Sequence, residues 1–264
     1  MLVNWNPVAF AIGPVEVRWY GIAMALSFLF GIWYLVRKGV DRGLDEDALF
    51  NLSILVIVAG IVGARLVYVL TNNPQWFVHD LPEVFKIWHG GLAWHGGLLG
   101  GILVGWWYGR RKKMDFNLLA DLAVPGLAMG YFLVRIANIA NQEVLGRMTG
   151  FAFGRWPAQP IGSAIGLVLL IRYFYVEAKL PPVGYQFWSF IFYHQLLRGV
   201  VEESVRDNTL FLINYVVPHW GLGFFTMTQW VTPPILLLAY LLMRRSQSRQ
   251  RRKPAGLRPT LKTV

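Results

Sequence analysis

Arg135, Asn138, Asn141 and Glu143 close a run, Val134-Arg135-Ile136-Ala137-Asn138-Ile139-Ala140-Asn141-Gln142-Glu143, that otherwise has the composition of a lipid-facing helix. Arg135 and Asn138, then Asn138 and Asn141, are three residues apart and neighbour each other on a helix. Ionisable groups at membrane depth are costly, so they face a bundle interior, a water-filled cavity or a bound substrate. Guanidinium is suited to bidentate binding of phosphate. Two more arginines, Arg65 and Arg198, lie inside apolar stretches, and Arg198 shares a helical face with Glu202 four residues on. Clustered guanidiniums repel unless an anion or carboxylates stand between them. Glu143, expected just past the helix end where the chain can turn back toward Arg135, could supply part of that compensation with Glu202 and Glu203. The chemistry this set implies is the binding of a phosphate.

The elements that must position these groups are membrane helices. The chain has 264 residues, 55% hydrophobic and 15% charged, against about 25% charged in a soluble domain. Spans need ~20 apolar residues. Seven such windows are read, about 19–36, 48–70, 91–109, 117–137, 160–176, 183–201 and 224–243, the last expected to kink at Pro233-Pro234. Lysine and arginine crowd one set of loops (Arg37, Lys38, Arg42; Arg110, Arg111, Lys112, Lys113; Arg172, Lys179), and eight more fill the last 21 residues. The opposite loops hold only Arg18, Lys86, Arg147, Arg155 and Arg206. That bias puts the N-terminus outside and the C-terminus in the cytoplasm. The expected fold is therefore an all-α integral membrane protein of seven spans. Residues 1–243 form the membrane domain and 244–264 a basic cytoplasmic tail. In this frame Tyr20, Arg65, His95, Arg135 and Arg198 come from five helices and reach a similar depth on the outer side.

Other readings of the same residues are simpler. A single arginine near a helix end can snorkel to the headgroups, a lone histidine can hydrogen-bond between helices, and Tyr20 can belong to an aromatic belt with Trp5, Trp19, Trp76, Trp88 and Trp94. The small residues Gly96, Gly97, Gly100, Gly101 and Gly105 suit close helix packing. The net charge of +11 sits largely in the tail, where it fits an anionic leaflet rather than nucleic acid. There is no cysteine, which excludes thiolate metal sites and a cysteine nucleophile on this chain. No His/Asp/Glu cluster has metal-ligand spacing, and neither a metal nor a cofactor is expected. No basic start followed by an apolar core marks a cleavable signal peptide. Matching depth of three arginines favours a phosphate cavity open to the outer leaflet, and phosphate there points to a phospholipid headgroup.

The residues resemble the prolipoprotein diacylglyceryl transferases of bacterial inner membranes. The resemblance covers most of the chain. It includes Trp19-Tyr20-Gly21, Gly63-Ala64-Arg65 with Tyr68, and His95-Gly96-Gly97-Leu98. The segment from Arg135 through Asn138, Asn141 and Glu143 to Gly146-Arg147 is similar to the family signature Arg-x-Gly-Asn-x-x-Asn-x-Glu, and Arg198 with Glu202 to its late arginine-glutamate pair. The chain departs at Ala137, where the signature has glycine. It departs also at Trp156-Pro157-Ala158-Gln159-Pro160-Ile161-Gly162, where the family carries His-Pro-Ser/Thr-Gln-Leu-Tyr-Glu, and at His194, where a tyrosine is expected. The segment before Trp156 is abbreviated, so a reduced extracytoplasmic head is expected.

The resemblance implies transfer of the sn-1,2-diacylglyceryl group of phosphatidylglycerol to the lipobox cysteine thiol in a prolipoprotein signal peptide. A thioether forms and glycerol phosphate leaves. The site would face the outer leaflet of the inner membrane. Arg135 and Arg198 would hold the headgroup phosphate and stabilise the leaving group. His95 would be the base for the thiol or a structural gate, the two readings standing equal on chemistry alone. Asn138, Asn141 and Glu143 would orient the headgroup or Arg135. Tyr20 would line the site, Glu202 beside Arg198 would contact the substrate, and Arg65 would support from behind. A transporter or flippase for anionic lipid, and a non-catalytic lipid receptor, are the rivals; a transporter requires polar residues continuing toward the cytoplasmic side, where Asp121 stands almost alone.

Overall fold

A computed structural model describes residues 5–13, 15–72, 80–86 and 90–251. Trp76, Trp88 and the tail beyond Arg251 lie outside the described residues. Among the described residues seven helices overlap the expected windows: α1 Trp19–Asp41, α2 Glu46–Thr71, α3 Trp94–Arg111, α4 Phe116–Asn141, α5 Ala158–Glu177, α6 Tyr185–Leu196 and α7 Met227–Arg251. A π-helical stretch, Leu197–Glu202, and a last turn, Glu203–Val205, prolong α6. The helix α7 runs on past residue 243, so Arg244, Arg245, Arg249 and Arg251 occupy its final turns.

The all-α expectation needs correction, because two antiparallel hairpins are present: β1 Val8–Ile12 with β2 Val15–Arg18, and β3 Leu210–Val217 with β4 Leu222–Thr226. The reason is local. Leu210–Val217 is rich in β-branched and aromatic residues, too short to span, and is followed by the turn Pro218-His219-Trp220-Gly221, with Gly221 at φ +59°.

Among the described residues, α1, α2, α4 and α5 are long and apolar enough to cross a membrane. Their outward faces are unburied: α2 exposes Val58, Val62, Leu66 and Leu70, and only 11% of its apolar window is buried. Such a face is stable only against lipid or another apolar surface.

The chain divides into two compact units, 35–119 and the remainder. In the 35–119 unit, Asp45 caps α2 by accepting from the Ala48 amide at 2.8 Å, and Glu46 and Asp47 complement the helix dipole. Leu49, Leu52, Tyr108, Met114 and Leu119 form its core. The glycine run on α3 packs backbone to backbone on α2. A Cβ at Gly96 would collide with the Gly63 carbonyl, and one at Gly100 with that of Ala59. Close packing, the expectation for the glycines of α3, is seen at Gly96, Gly97 and Gly100, while Gly101 and Gly105 make ordinary contacts with side chains.

In the other unit α1 approaches α4 closely, a Cβ on Gly31 falling 3.3 Å from the Gly126 Cα. Asp121, the one acidic residue inside an apolar window, is buried and accepts from the amides of Gly184 at 2.6 Å and Phe187 at 2.7 Å. It thereby neutralises the N-terminus of α6. Asp121 is a helix cap contributed by a neighbouring helix.

Candidate functional site

The helix α4 places Tyr131, Arg135 and Asn138 on one face through steps of four and three residues. All three point inward, Arg135 being 9% exposed and Asn138 3%. Arg135 Nη2 lies 2.9 Å from Glu202 Oε1, and Glu202 is 0% exposed. This is an ion pair whose angle falls short of a well-formed hydrogen bond, so charge rather than direction holds it. Tyr131 stands between the two groups. Its hydroxyl donates to Glu202 Oε2 and accepts from Arg135 Nη2 at 3.1 Å, while its ring lies 4.7 Å from the guanidinium carbon.

Beyond Arg135 the hydrogen bonds run outward. Arg135 Nη1 donates weakly to Asn138 Oδ1 at 3.4 Å, and Asn138 Nδ2 donates to Glu143 Oε2 at 2.9 Å. The helix ends at Asn141, and Gln142 and Val144 adopt positive φ of 52° and 59°. This turn brings Glu143 back over the helix end as expected, but its carboxylate meets Asn138, not Arg135. The carboxylate paired with Arg135 is Glu202, reaching across from the π-helical stretch. Arg198 makes no side-chain hydrogen bond or ion pair among the described residues. Its charge, like that of Arg135, reaches the His194 ring. Glu202, which helical spacing puts on one face with Arg198, pairs across helices with Arg135. A buried guanidinium gains more from a fully buried carboxylate than a half-exposed one does, because less solvent screens the attraction.

Tyr20, at the first turn of α1, is 38% exposed and its phenol feels the charges of both Glu143 and Arg135. Asn141 lines a cavity of about 520 Å³ with Trp5, Asn6, Pro7, Ala140 and Gln142. Its Oδ1 is buried without a hydrogen-bond partner. Tyr20, Arg135, Asn138, Asn141, Glu143, Arg198 and Glu202 thus share one unit and one neighbourhood.

Below this set, Glu203 is also buried and receives Asn208 Nδ2 at 2.5 Å and Arg206 Nη1 at 3.4 Å. Burial lowers the Arg206 pKa, and the Glu203 carboxylate opposes the shift. Backbone bonds from Arg147 to Val205 at 2.8 Å and from Asp207 to Leu145 at 2.9 Å pin the segment after Glu143 to the segment after Glu203. Arg155 adds an ion pair to Asp207 at 3.1 Å.

Arg65 and His95 belong to the 35–119 unit. Arg65 is 6% exposed, and its guanidinium donates to the backbone carbonyls of Val84, Gly90, Gly91 and Glu83. It stitches the α2–α3 loop, where Gly90 and Gly91 at φ +86° and +78° let carbonyls point back at one side chain. His95, in the first turn of α3, is exposed with its ring against Trp94. Among the described residues no group of three or more His, Asp or Glu side chains could hold a metal ion.

Residues 7–245 match the family model described as prolipoprotein diacylglyceryl transferase. The chain belongs to this family. It is 58% identical to the phosphatidylglycerol–prolipoprotein diacylglyceryl transferase of Thermoanaerobacter sp. (strain X514) over 240 residues, 91% of this chain and 93% of that protein. Identity to the enzyme of the same name from Caldanaerobacter subterraneus subsp. tengcongensis is 56% over equal coverage. To that of Thermus thermophilus it is 34% over 268 residues, 89% of this chain and 96% of the relative.

Within this transferase family member, the rim stretch that departs from the signature still builds the site. Gln159, which the signature shares, donates from Nε2 to the Glu143 carbonyl at 2.9 Å. Gly162 leaves room for Arg135: a Cβ there would sit 2.7 Å from Nε. Neither was singled out from sequence, and nor was Tyr131, whose place four residues before Arg135 was the available signal. Gly162→Ala is expected to displace the Arg135 side chain at a cost of about 1–3 kcal/mol. Transfer should slow roughly tenfold or more. The melting temperature should fall only modestly, since the better helix propensity of alanine, about 1 kcal/mol, offsets part of that cost. Unaltered transfer by the purified variant would refute the close fit.

Proposed function

We propose that this chain transfers the sn-1,2-diacylglyceryl group of phosphatidylglycerol to the lipobox cysteine of a prolipoprotein. The observation that carries the reading is a buried guanidinium, Arg135, held by Glu202 and Tyr131, with a second guanidinium, Arg198, that has no side-chain partner among the described residues. Family membership supplies the reaction class.

In the reaction the bond between the glyceryl C3 carbon and the phosphate oxygen breaks. A bond from the cysteine sulfur to that carbon forms, glycerol phosphate leaves with the electron pair, and a base takes the thiol proton. Charge grows on the departing phosphate, where fixed cationic donors have most effect. Arg135 and Arg198 take that role. Asn138, Glu143 and Asn141 orient Arg135 and the headgroup, Tyr20 lines the entrance, and Arg65 keeps the α2–α3 loop in place. His95 is the candidate base, its exposure leaving it free to meet a thiol brought by the substrate.

The arrangement in the membrane follows the charge bias: seven spans, N-terminus outside, the 244–264 tail in the cytoplasm, and the site facing the outer leaflet of the inner membrane. Against a transporter stands Asp121, the polar group expected nearest the cytoplasmic side, whose two carboxylate oxygens cap α6.

The test is purified protein with phosphatidylglycerol vesicles and a lipobox peptide. The peptide should gain the mass of a diacylglyceryl group, and glycerol phosphate should appear in equal amount. Lipid binding with neither product would favour a receptor, and movement of lipid between leaflets without peptide modification a flippase.

A further inference from the structure

We propose that Tyr131 is the positioning residue for Arg135: through its phenol the buried Glu202 sets which edge of the guanidinium meets the substrate phosphate. The assignment rests on the reading of Arg135 as the phosphate-holding group.

Four contacts converge on this one side chain. The hydroxyl donates a hydrogen bond to Glu202 and accepts one from Arg135 Nη2 at 3.1 Å. The ring lies under the guanidinium at 4.7 Å, and it meets the His194 ring at 4.7 Å with the planes 84° apart. A tyrosine has few torsions to order, so such a scaffold is stiff. The consequence for Arg135 follows donor by donor. Nη2 is committed to Tyr131 and Glu202. Nε is buried against Gly162 without a hydrogen-bond partner. Nη1 has only the long 3.4 Å bond to Asn138 and is the donor most readily given to a phosphate oxygen. Without the phenol, Glu202 alone would hold Nη2 through an ion pair of poor angle, and the guanidinium plane would be free to turn. Tyr131 takes no proton from substrate and touches no reacting atom. Its effect passes through Arg135.

Tyr131→Phe keeps the ring, its packing on His194 and the cation–π contact, and removes the hydroxyl alone. Loss of a hydrogen bond to a charged group should lower kcat about tenfold to a hundredfold, with little change in KM for phosphatidylglycerol. Glu202 keeps its ion pair with Arg135, so the melting temperature should fall by only a few degrees. The ring at position 194 packs against that of Tyr131, so Tyr131→Phe/His194→Tyr offers a hydroxyl from the neighbouring ring and should regain part of the lost kcat. A purely structural role would yield no such recovery. Wild-type kcat in Tyr131→Phe would overturn the assignment, as would a loss that follows the melting temperature and is not recovered in the double variant. A wild-type protein that transfers nothing to the peptide would instead remove the transferase reading, and the assignment with it.

Discussion

Arg135→Ala is expected to lower diacylglyceryl transfer by at least about 10²-fold, the effect typical of removing one preorganised donor from developing negative charge. Arg135 is the buried cation at the centre of the site, with Nη1 available and Nη2 fixed. Alanine removes both the charge and the fork. It also leaves Glu202, which is 0% exposed, as a carboxylate with only Tyr131 for company, so stability falls too. The two losses can be separated. Arg135→Ala/Glu202→Gln removes both members of the ion pair and should recover much of the melting temperature, while transfer stays absent. Arg135→Lys should rescue poorly, because one ammonium cannot reproduce the planar fork that meets Tyr131, Glu202 and Asn138 together. Recovery of transfer with recovery of stability in the double variant would show that Arg135 is structural. Measuring peptide modification and melting on the same preparations decides between these outcomes.

What the sequence disclosed was whatever depends on a single helix. The steps from Arg135 to Asn138 and Asn141 announce one face, and the glycines of α3 announce a close neighbour, which proves to be the Gly63 and Ala59 backbone of α2. An arginine near the end of the apolar helix α2 signals a committed side chain without saying to what. Its partners are carbonyls 18 to 26 residues away in a loop, which no local spacing encodes. The same limit explains Glu202. Along its own helix it neighbours Arg198, but the π-helical stretch and the approach to α4 deliver it to Arg135. Gly162 and Gln159 matter because α5 happens to pack there; in isolation one is a small residue in an apolar helix and the other a polar residue at its start. The β3–β4 hairpin escaped because a short apolar run reads equally as strand or helix fragment until its turn is weighed.

Glu202→Gln is the second change with a large expected effect, and its direction is informative. Glutamine keeps the shape and can still accept the Tyr131 hydroxyl, but it no longer neutralises Arg135, which is 9% exposed. Breaking one side of a buried pair costs about 3–5 kcal/mol, most of it the penalty of the charge left behind. The melting temperature in detergent should therefore fall sharply. Phosphatidylglycerol should partly offset the loss, because its phosphate supplies the missing anion and a ligand bound only by the folded state stabilises it. The expected signature is a larger lipid-induced rise in melting temperature for Glu202→Gln than for the wild type. Neutral phosphate-free lipid should produce no such difference. Transfer should fall as well, since an Arg135 no longer tethered to Glu202 can follow the leaving phosphate less precisely and holds its ground-state form more tightly. Equal lipid-induced shifts in the two proteins would mean that Arg135 does not face the headgroup, and would send the search for the phosphate to Arg198 alone.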